Sequence, residues 1–504
     1  MSYRQSLIAA LLACLFTSLA CAQLLDATAP EVQGVESAGV QAFVEAFEQE
    51  VDAPHGVVIL RHGHLIAEGW WAPYQPNAPH ILYSLSKSFT STAIGMLADE
   101  GKLDIDDPVV SFFPDKLPEN PSDNLKAMRI RDLLSMTAGH HQDTLSRVTQ
   151  SGSDDWVGAF LSLDVEHRPG THFRYNTGAT YMCSAIVQKL TGQTVLEYLT
   201  PRLFEPLGIE GATWESCPRG INTGGWGLSI GTRDIAKFGQ MLLQHGQWNG
   251  KQLISANWVK LATAAQTPNG DNPESDWNQG YGFQFWRSRH NGYRGDGAFG
   301  QFCLVLPDQD VVIAINGGYG NMQQVLNLVW KHLLPAIHDQ GLPANSGAAA
   351  ALAQKMKQLA HAPVAGEATS PLAAKLNGKT FTFDENKLDL LSVTFNFDGD
   401  TPSANFLTKH DKQRYQFAHD RWISQIIHYE KLGIPAASTT ADQPVAASGA
   451  WAKPDQLVLR AWLTATPFRL DMQLDFTDDA DAMDLQIRMH PLRGKPVTIH
   501  ASVK

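Results

Sequence analysis

The chain has 504 residues, 43% of them hydrophobic and 18% charged, and carries a formal net charge of −12. That length and apolar content can bury a large core, which points to two domains. The acidic balance, with no basic cluster, argues against nucleic acid as a partner.

At the N-terminus Arg4 precedes the apolar run Leu7–Leu19, and Ala20-Cys21-Ala22 forms an A-x-A-type cleavage site. Residues 1–22 therefore read as a secretory signal peptide, too short to span a bilayer comfortably. The expectation is an exported protein, periplasmic or secreted, that touches a membrane only if Cys21 is lipidated. Cys183, Cys217 and Cys303 then remain, which allows one disulfide at most and no disulfide scaffold. Cys183 and Cys303 sit in apolar runs and read as small core residues. No pair of Cys or His residues has zinc spacing, so neither a metal nor a cofactor is expected.

Residues 36–51 read as an amphipathic helix, and GVVILRHGHLIAEGWW as two short strands turning at Arg61–His64. Ile81–Val109 follows, containing Ser84-Leu85-Ser86-Lys87, the one S-x-x-K in the chain. Leu85, Phe89, Met96 and Leu97 form a helical stripe behind it. A serine at a helix start and a lysine three residues on share one face, beside N–H groups that lack intrahelical partners. These are the parts of an activated nucleophile and half of an oxyanion hole. A bland reading is open as well, with Ser84 as a helix cap and Lys87 solvated.

His140 and His141 end a loop-rich stretch and read as solvated more readily than catalytic. Pro169-Gly170 turns into Tyr175, which sits at a loop tip before the helix TGATYMCSAIVQKLTG, stopped by Gly192. Gly227-Leu228-Ser229-Ile230-Gly231 fits the G-x-S-x-G elbow, but lacks a convincing buried strand ahead of it. Another helix spans Arg233–Gln244. Strands are expected at Gly282–Trp286, Gln301–Leu306 and Val311–Asn316, and a closing helix at Asn321–Ile337. This order predicts an α+β fold, one antiparallel sheet flanked by helices with a helical subdomain. Residues 341–372 look like a linker containing a short helix. Residues 373–504 alternate as antiparallel strands, a barrel or sandwich with no catalytic constellation.

The S-x-x-K context (Tyr-Ser before it, GKLDIDDPVVSFFP after it) resembles the penicillin-recognising serine hydrolases. That group includes class C β-lactamases, DD-peptidases, family VIII carboxylesterases and 6-aminohexanoate-dimer hydrolases. The resemblance covers roughly residues 35–340 and implies a β-lactamase/transpeptidase-like domain over 30–340; the C-terminal part resembles lipocalin-like appendages. It implies Ser84 as nucleophile, Lys87 and Tyr175 as proton-transfer partners, and Tyr175-Asn176-Thr177 as the Y-x-N element, with Thr177 in place of the usual Asn. Gly297-Ala298-Phe299-Gly300-Gln301 stands where K-T-G is expected. If Gly300 is the aligned glycine, Gln301 supplies the second oxyanion N–H and Ala298 replaces the family's lysine. Loss of that cation favours an esterase or amidase acting on a small-molecule or peptide-like ester or amide, unless Arg287, Arg289 or Arg294 compensates. A β-lactamase or DD-peptidase, or an inactive envelope binding protein on the same scaffold, are the alternatives. Trp70, Trp71, Trp226 and Trp286 are candidates for an apolar acyl pocket or for the core.

Overall fold

The computed structural model describes residues 25–430 and 441–503; the predicted signal segment lies outside them. Helix α1 (Ser37–Glu50) leads into β1 (Pro54–Arg61) and β2 (His64–Trp70). Their two-residue turn, His62-Gly63, has positive φ at both positions, as the twist of a tight hairpin demands. Strands β3 (Trp286–Arg287), β4 (Tyr293–Gly297), β5 (Gln301–Leu306) and β6 (Val311–Gly317) complete an antiparallel sheet in the order β2-β1-β6-β5-β4-β3.

Period-two alternation sorts the side chains into two cores. Val57, Ile59, Phe302, Leu304, Ile313 and Ile315 face the terminal helices through Phe43, Phe47, Val325 and Val329. Val58, Leu60, Cys303, Val305, Val312 and Ala314 face the other way. That second face covers α2 (Ser86–Asp99), α3 (Thr177–Thr191) and α4 (Thr232–Leu243). The closing helix is α5 (Met322–Leu328), which runs on through a π-turn at Val329–Leu333. Cys183, Cys217 and Cys303 are buried free thiols. No helix among the described residues is long and apolar enough to cross a membrane.

Three expectations need correction. Gly282–Trp286 is not a strand; Gln284 takes φ +67° and bends the chain there, leaving only Trp286–Arg287 in the sheet. The strand β4, unanticipated, lies between that piece and β5. Residues 341–372 are no free linker: α6 (Ser346–Lys357) docks through Leu352, and Leu359 joins the core on the α1 side.

The C-terminal region is a single ten-stranded antiparallel sheet, curled into a nearly closed barrel rather than a sandwich. Its strands are β7 (Thr380–Phe383), β8 (Leu390–Asn396), β9 (Ser403–Thr408), β10 (Lys412–Gln416), β11 (Ile423–His428), β12 (Asp442–Lys453), β13 (Gln456–Leu463), β14 (Arg469–Phe476), β15 (Ala482–His490) and β16 (Val497–Val503). They run in the order β10-β9-β8-β7-β16-β15-β14-β13-β12-β11. At the seam the Gln425 side chain accepts from the Gln416 N–H at 3.0 Å and donates to its carbonyl at 2.8 Å, replacing a backbone ladder. Phe381, Phe395, Leu457, Leu474 and Leu485 fill the interior.

The barrel loop Thr464–Phe468 seats against the first domain. Ile81 N–H donates to the Ala465 carbonyl at 2.9 Å. The Phe468 ring lies 5.4 Å from that of Phe299 and 6.5 Å from that of Tyr83. A second contact stacks His55 on Tyr74 and His361 on Trp462.

Candidate active site

Helix α2 is buried on every side from Ser86 to Leu97. Its hydroxyls are tolerated because they find backbone partners: Ser88 donates to the Gln284 carbonyl, Thr90 to Gly224 and Ser91 to Phe283, while Ser86 accepts from the Leu228 N–H. A 3₁₀ turn, Tyr83–Leu85, runs straight into the helix and puts Ser84 at its start. Lys87 Nζ lies 3.1 Å from Ser84 Oγ, 2.7 Å from the Gly225 carbonyl and 3.4 Å from Thr177 Oγ1. Lys87 is 1% exposed, so it is not the solvated lysine of the bland reading. Burial pulls its amine down to about 7 against the opposing pull of Asp143 and Asp296.

Tyr175 completes the group. Its hydroxyl lies near enough to Ser84 for that side chain to favour the phenolate slightly, its ring centre is 4.9 Å from Lys87 Nζ, and it stacks on Trp286 at 5.2 Å. Burial, reinforced by Asp296, pushes its phenol well above the ordinary range. Thr177 faces Lys87 with its hydroxyl while its N–H donates to Asp143 Oδ1 at 2.9 Å. Asn176 does something else: it caps α3 and accepts from Thr144 N and Oγ1 at 3.1 and 2.7 Å. At 1% exposure it is framework, not a substrate contact.

Strand β4 approaches Ser84 and α2 with the two glycines of the face it shares with buried Tyr293. A Cβ on Gly295 would meet Leu85 and Ser88, and one on Gly297 would sit 1.9 Å from the Leu82 carbonyl and 3.1 Å from Ser84 N. Gly297, not Gly300, therefore brings strand backbone against Ser84. Gly300 (φ +101°) abuts the Tyr319 ring instead. Gln301 is fully buried, its side chain donating to the Gly317 carbonyl and accepting from Asn316. The structure thus sets Gly300 and Gln301 behind the cleft, whereas Ala298, next after Gly297, is exposed.

On the opposite face of β4, Asp296 pairs with Arg294 at 2.8 Å and bonds Trp286. No lysine stands in this strand, and the nearby arginines are engaged. Arg287 is held by Thr263 and Asn291, Arg289 by Asp276, and Arg294 by Asp296 and Ser288. Of the four tryptophans only Trp286 joins the site. Trp70 bonds Thr232, Trp71 is core beside Glu48, and Trp226 bonds Glu215.

Ser229 lies in an extended piece, Leu228–Ile230, paired with His80–Ile81 and Thr213–Trp214. The strained left-handed turn of a nucleophile elbow is missing there. His140 is buried beside Asn176 and Phe160, and burial holds it down to about 4. His141 is exposed and pairs with His167. Asp143, Gly225 and Asp296, all within reach of the Ser84–Lys87–Tyr175 group, had no motif to announce them.

The pattern of the family described as Beta-lactamase matches residues 40–329. The 6-aminohexanoate-dimer hydrolase of Paenarthrobacter ureafaciens is 26% identical over 314 residues, 57% of this chain and 76% of that protein. A penicillin-binding protein homologue from Caulobacter crescentus superposes with a TM-score of 0.50 at 17% identity, over 62% of this chain and all of that one. A family VIII carboxylesterase aligns at 16% identity and a TM-score of 0.47, covering 62% of this chain and 99% of the other.

Proposed function

The chain belongs to the beta-lactamase family and is a hydrolase of that family, and from that premise we propose that Ser84 forms an acyl-enzyme with a small ester or amide. The observation that carries the reading is the buried Lys87 amine 3.1 Å from Ser84 Oγ, where burial pulls its value down to about 7. A neutral amine has two N–H groups and one lone pair. Gly225 and Thr177 offer acceptors for the former, which leaves the lone pair for the Ser84 proton. Lys87 is the general base in this scheme, because the Tyr175 phenol is shifted the wrong way to ionise.

Ser84 Oγ attacks the substrate carbonyl as its proton passes to Lys87 Nζ. Tyr175, close to both Ser84 and Lys87, relays the proton from Lys87 to the leaving alcohol or amine. The oxyanion is held by the Ser84 N–H and a backbone N–H of the Gly297–Ala298 segment, in place of Gln301. Water then attacks the ester on Ser84 and releases the acid. Asp296 beside the group, and the engagement of Arg287, Arg289 and Arg294, support a substrate without a carboxylate at that wall. Kinship with a 6-aminohexanoate-dimer hydrolase supports amide or ester cleavage over β-lactam turnover. We further propose export through residues 1–22, which N-terminal sequencing of the mature protein tests.

The decisive experiment treats the mature protein with a fluorophosphonate probe and a chromogenic short-chain ester, beside Ser84→Ala and Ser229→Ala. Adduct on Ser84, with turnover lost only in Ser84→Ala, is the expected result. Label on Ser229, or on neither serine, overturns the proposal.

A further inference from the structure

The loop Met136–His141 and the turn Glu166–Arg174 run side by side, zipped by backbone bonds. His167 N–H donates to Gly139, Gly170 N–H to Thr137 and Arg174 N–H to Met136, each at 2.8 Å. Gly139 takes φ +93°, and a Cβ there would lie 2.4 Å from the His167 carbonyl, so the pairing is close. Glu166 accepts from the His141 N–H at 3.0 Å. On this scaffold three imidazoles converge: His141 Nδ1 lies 3.2 Å from His167 Nε2, and His172 stacks on His167 with ring centres 4.1 Å apart. One ring nitrogen from each lies within 4.8 Å of the others. His172 Nε2 is buried without a hydrogen-bond partner.

Packing three weakly basic rings together is unrewarding for stability alone, and an orphaned buried nitrogen costs free energy. The same arrangement suits a cation that accepts imidazole. Two nitrogens on one tetrahedral zinc stand about 3.3 Å apart, given Zn–N bonds of about 2.0–2.1 Å. The His141–His167 pair already has that separation, and a side-chain rotation of His172 would close the third. We propose that His141, His167 and His172 form a binding site for a zinc-class divalent ion, with the fourth position open to water or to Glu166. The ion fastens the turn that ends at Tyr175 and so acts on the reaction through position, not chemistry. His141 stands 26 residues before His167. His167 and His172, with four residues between them, do fit the H-x₃₋₅-H zinc spacing, contrary to the sequence-based expectation that no pair has it, whereas His141 joins them only through the fold.

The test uses full-length protein stripped with chelator and desalted. ZnCl₂ is titrated by calorimetry and CoCl₂ by visible absorption, for wild type, His141→Ala, His172→Ala and a distant control, His410→Ala. The expected result is one ion per chain in the micromolar range or tighter, four- or five-coordinate cobalt bands, and a rise in melting temperature with zinc. Each trio variant weakens binding at least tenfold and loses the rise, while the control keeps both. Apo melts of the variants are compared with wild type, and the exposed His141→Ala carries the result if His172→Ala fails to fold. Binding that survives in His141→Ala, or no binding in wild type, overturns the site. All three readouts are independent of hydrolase activity.

Discussion

Lys87 is the residue on which the proposed reaction turns. Its ammonium form is disfavoured by burial, which Asp143 and Asp296 only partly offset. Under the proposed scheme kcat/KM rises with pH through about 7 as the amine loses its proton. A pH–rate profile flat from 5.5 to 8.5 would count against Lys87 as base. Lys87→Arg, whose guanidinium stays protonated, should lower kcat by ~10²–10⁴ while the protein still folds. Asp296 pulls the Lys87 value upward, so Asp296→Asn should move the acid limb to lower pH, and an unmoved limb would refute that coupling. Ser84, Lys87 and Tyr175 were legible because short motifs carry them at fixed spacing. Asp143, Gly225 and Asp296 were not, since each reaches the site through tertiary packing. Asn176 and Gln301 were misread for the converse reason: their side chains look inward, and nothing in a linear pattern says so.

Among the elements, β4 is the one that decides the geometry. Gly295 leaves room for the Leu85 and Ser88 side chains, and Gly297 lets the strand backbone meet the backbone of Leu82 and Ser84 just ahead of α2. That is also why the sequence hides it: glycine alternating with Arg294 and Asp296 carries no apolar period. The alternating strands β1, β2, β5 and β6 and the striped helices α1, α3 and α4 were read within a few residues. Gly297→Ala places a methyl 1.9 Å from the Leu82 carbonyl, which cannot rotate away. It should abolish turnover and cost ~1–3 kcal/mol as an overpacked site, measured by ester assay and denaturant melt. Asn176→Ala removes the cap of α3 together with the tie to Thr144; a loss of ~1–2 kcal/mol is expected, and an unchanged melt would deny Asn176 its framework role.

For the whole molecule, the barrel packs against the candidate site. Phe468 packs between Phe299, next after the Gly297–Ala298 segment, and Tyr83, next before Ser84. Phe468→Ala should destabilise by ~3–5 kcal/mol and lower kcat more than it raises KM; equal kinetics in folded protein would reduce the barrel to an appendage. The second interdomain contact sets an acid limit. Burial holds His55 well below its ordinary value, and His80 and His361 down to about 4. In the unfolded chain these groups titrate near 6.5. Because the folded values are depressed, stability is whole above pH 6.5 and declines as pH falls from 6.5 towards 4, by on the order of a few kcal/mol. A melting temperature constant between pH 7 and 4.5 would contradict this. Strand β16, finally, enters the middle of the barrel, between β7 and β15. A nascent chain halted after β6 already contains Ser84, Lys87, Tyr175 and Gly297, yet lacks both Phe468 and the strand that completes the barrel holding it. The sheet that carries Phe468 therefore closes only once its last strand in chain order has been made, so if Phe468→Ala lowers kcat as expected, a chain ending after β6 should be impaired in the same way.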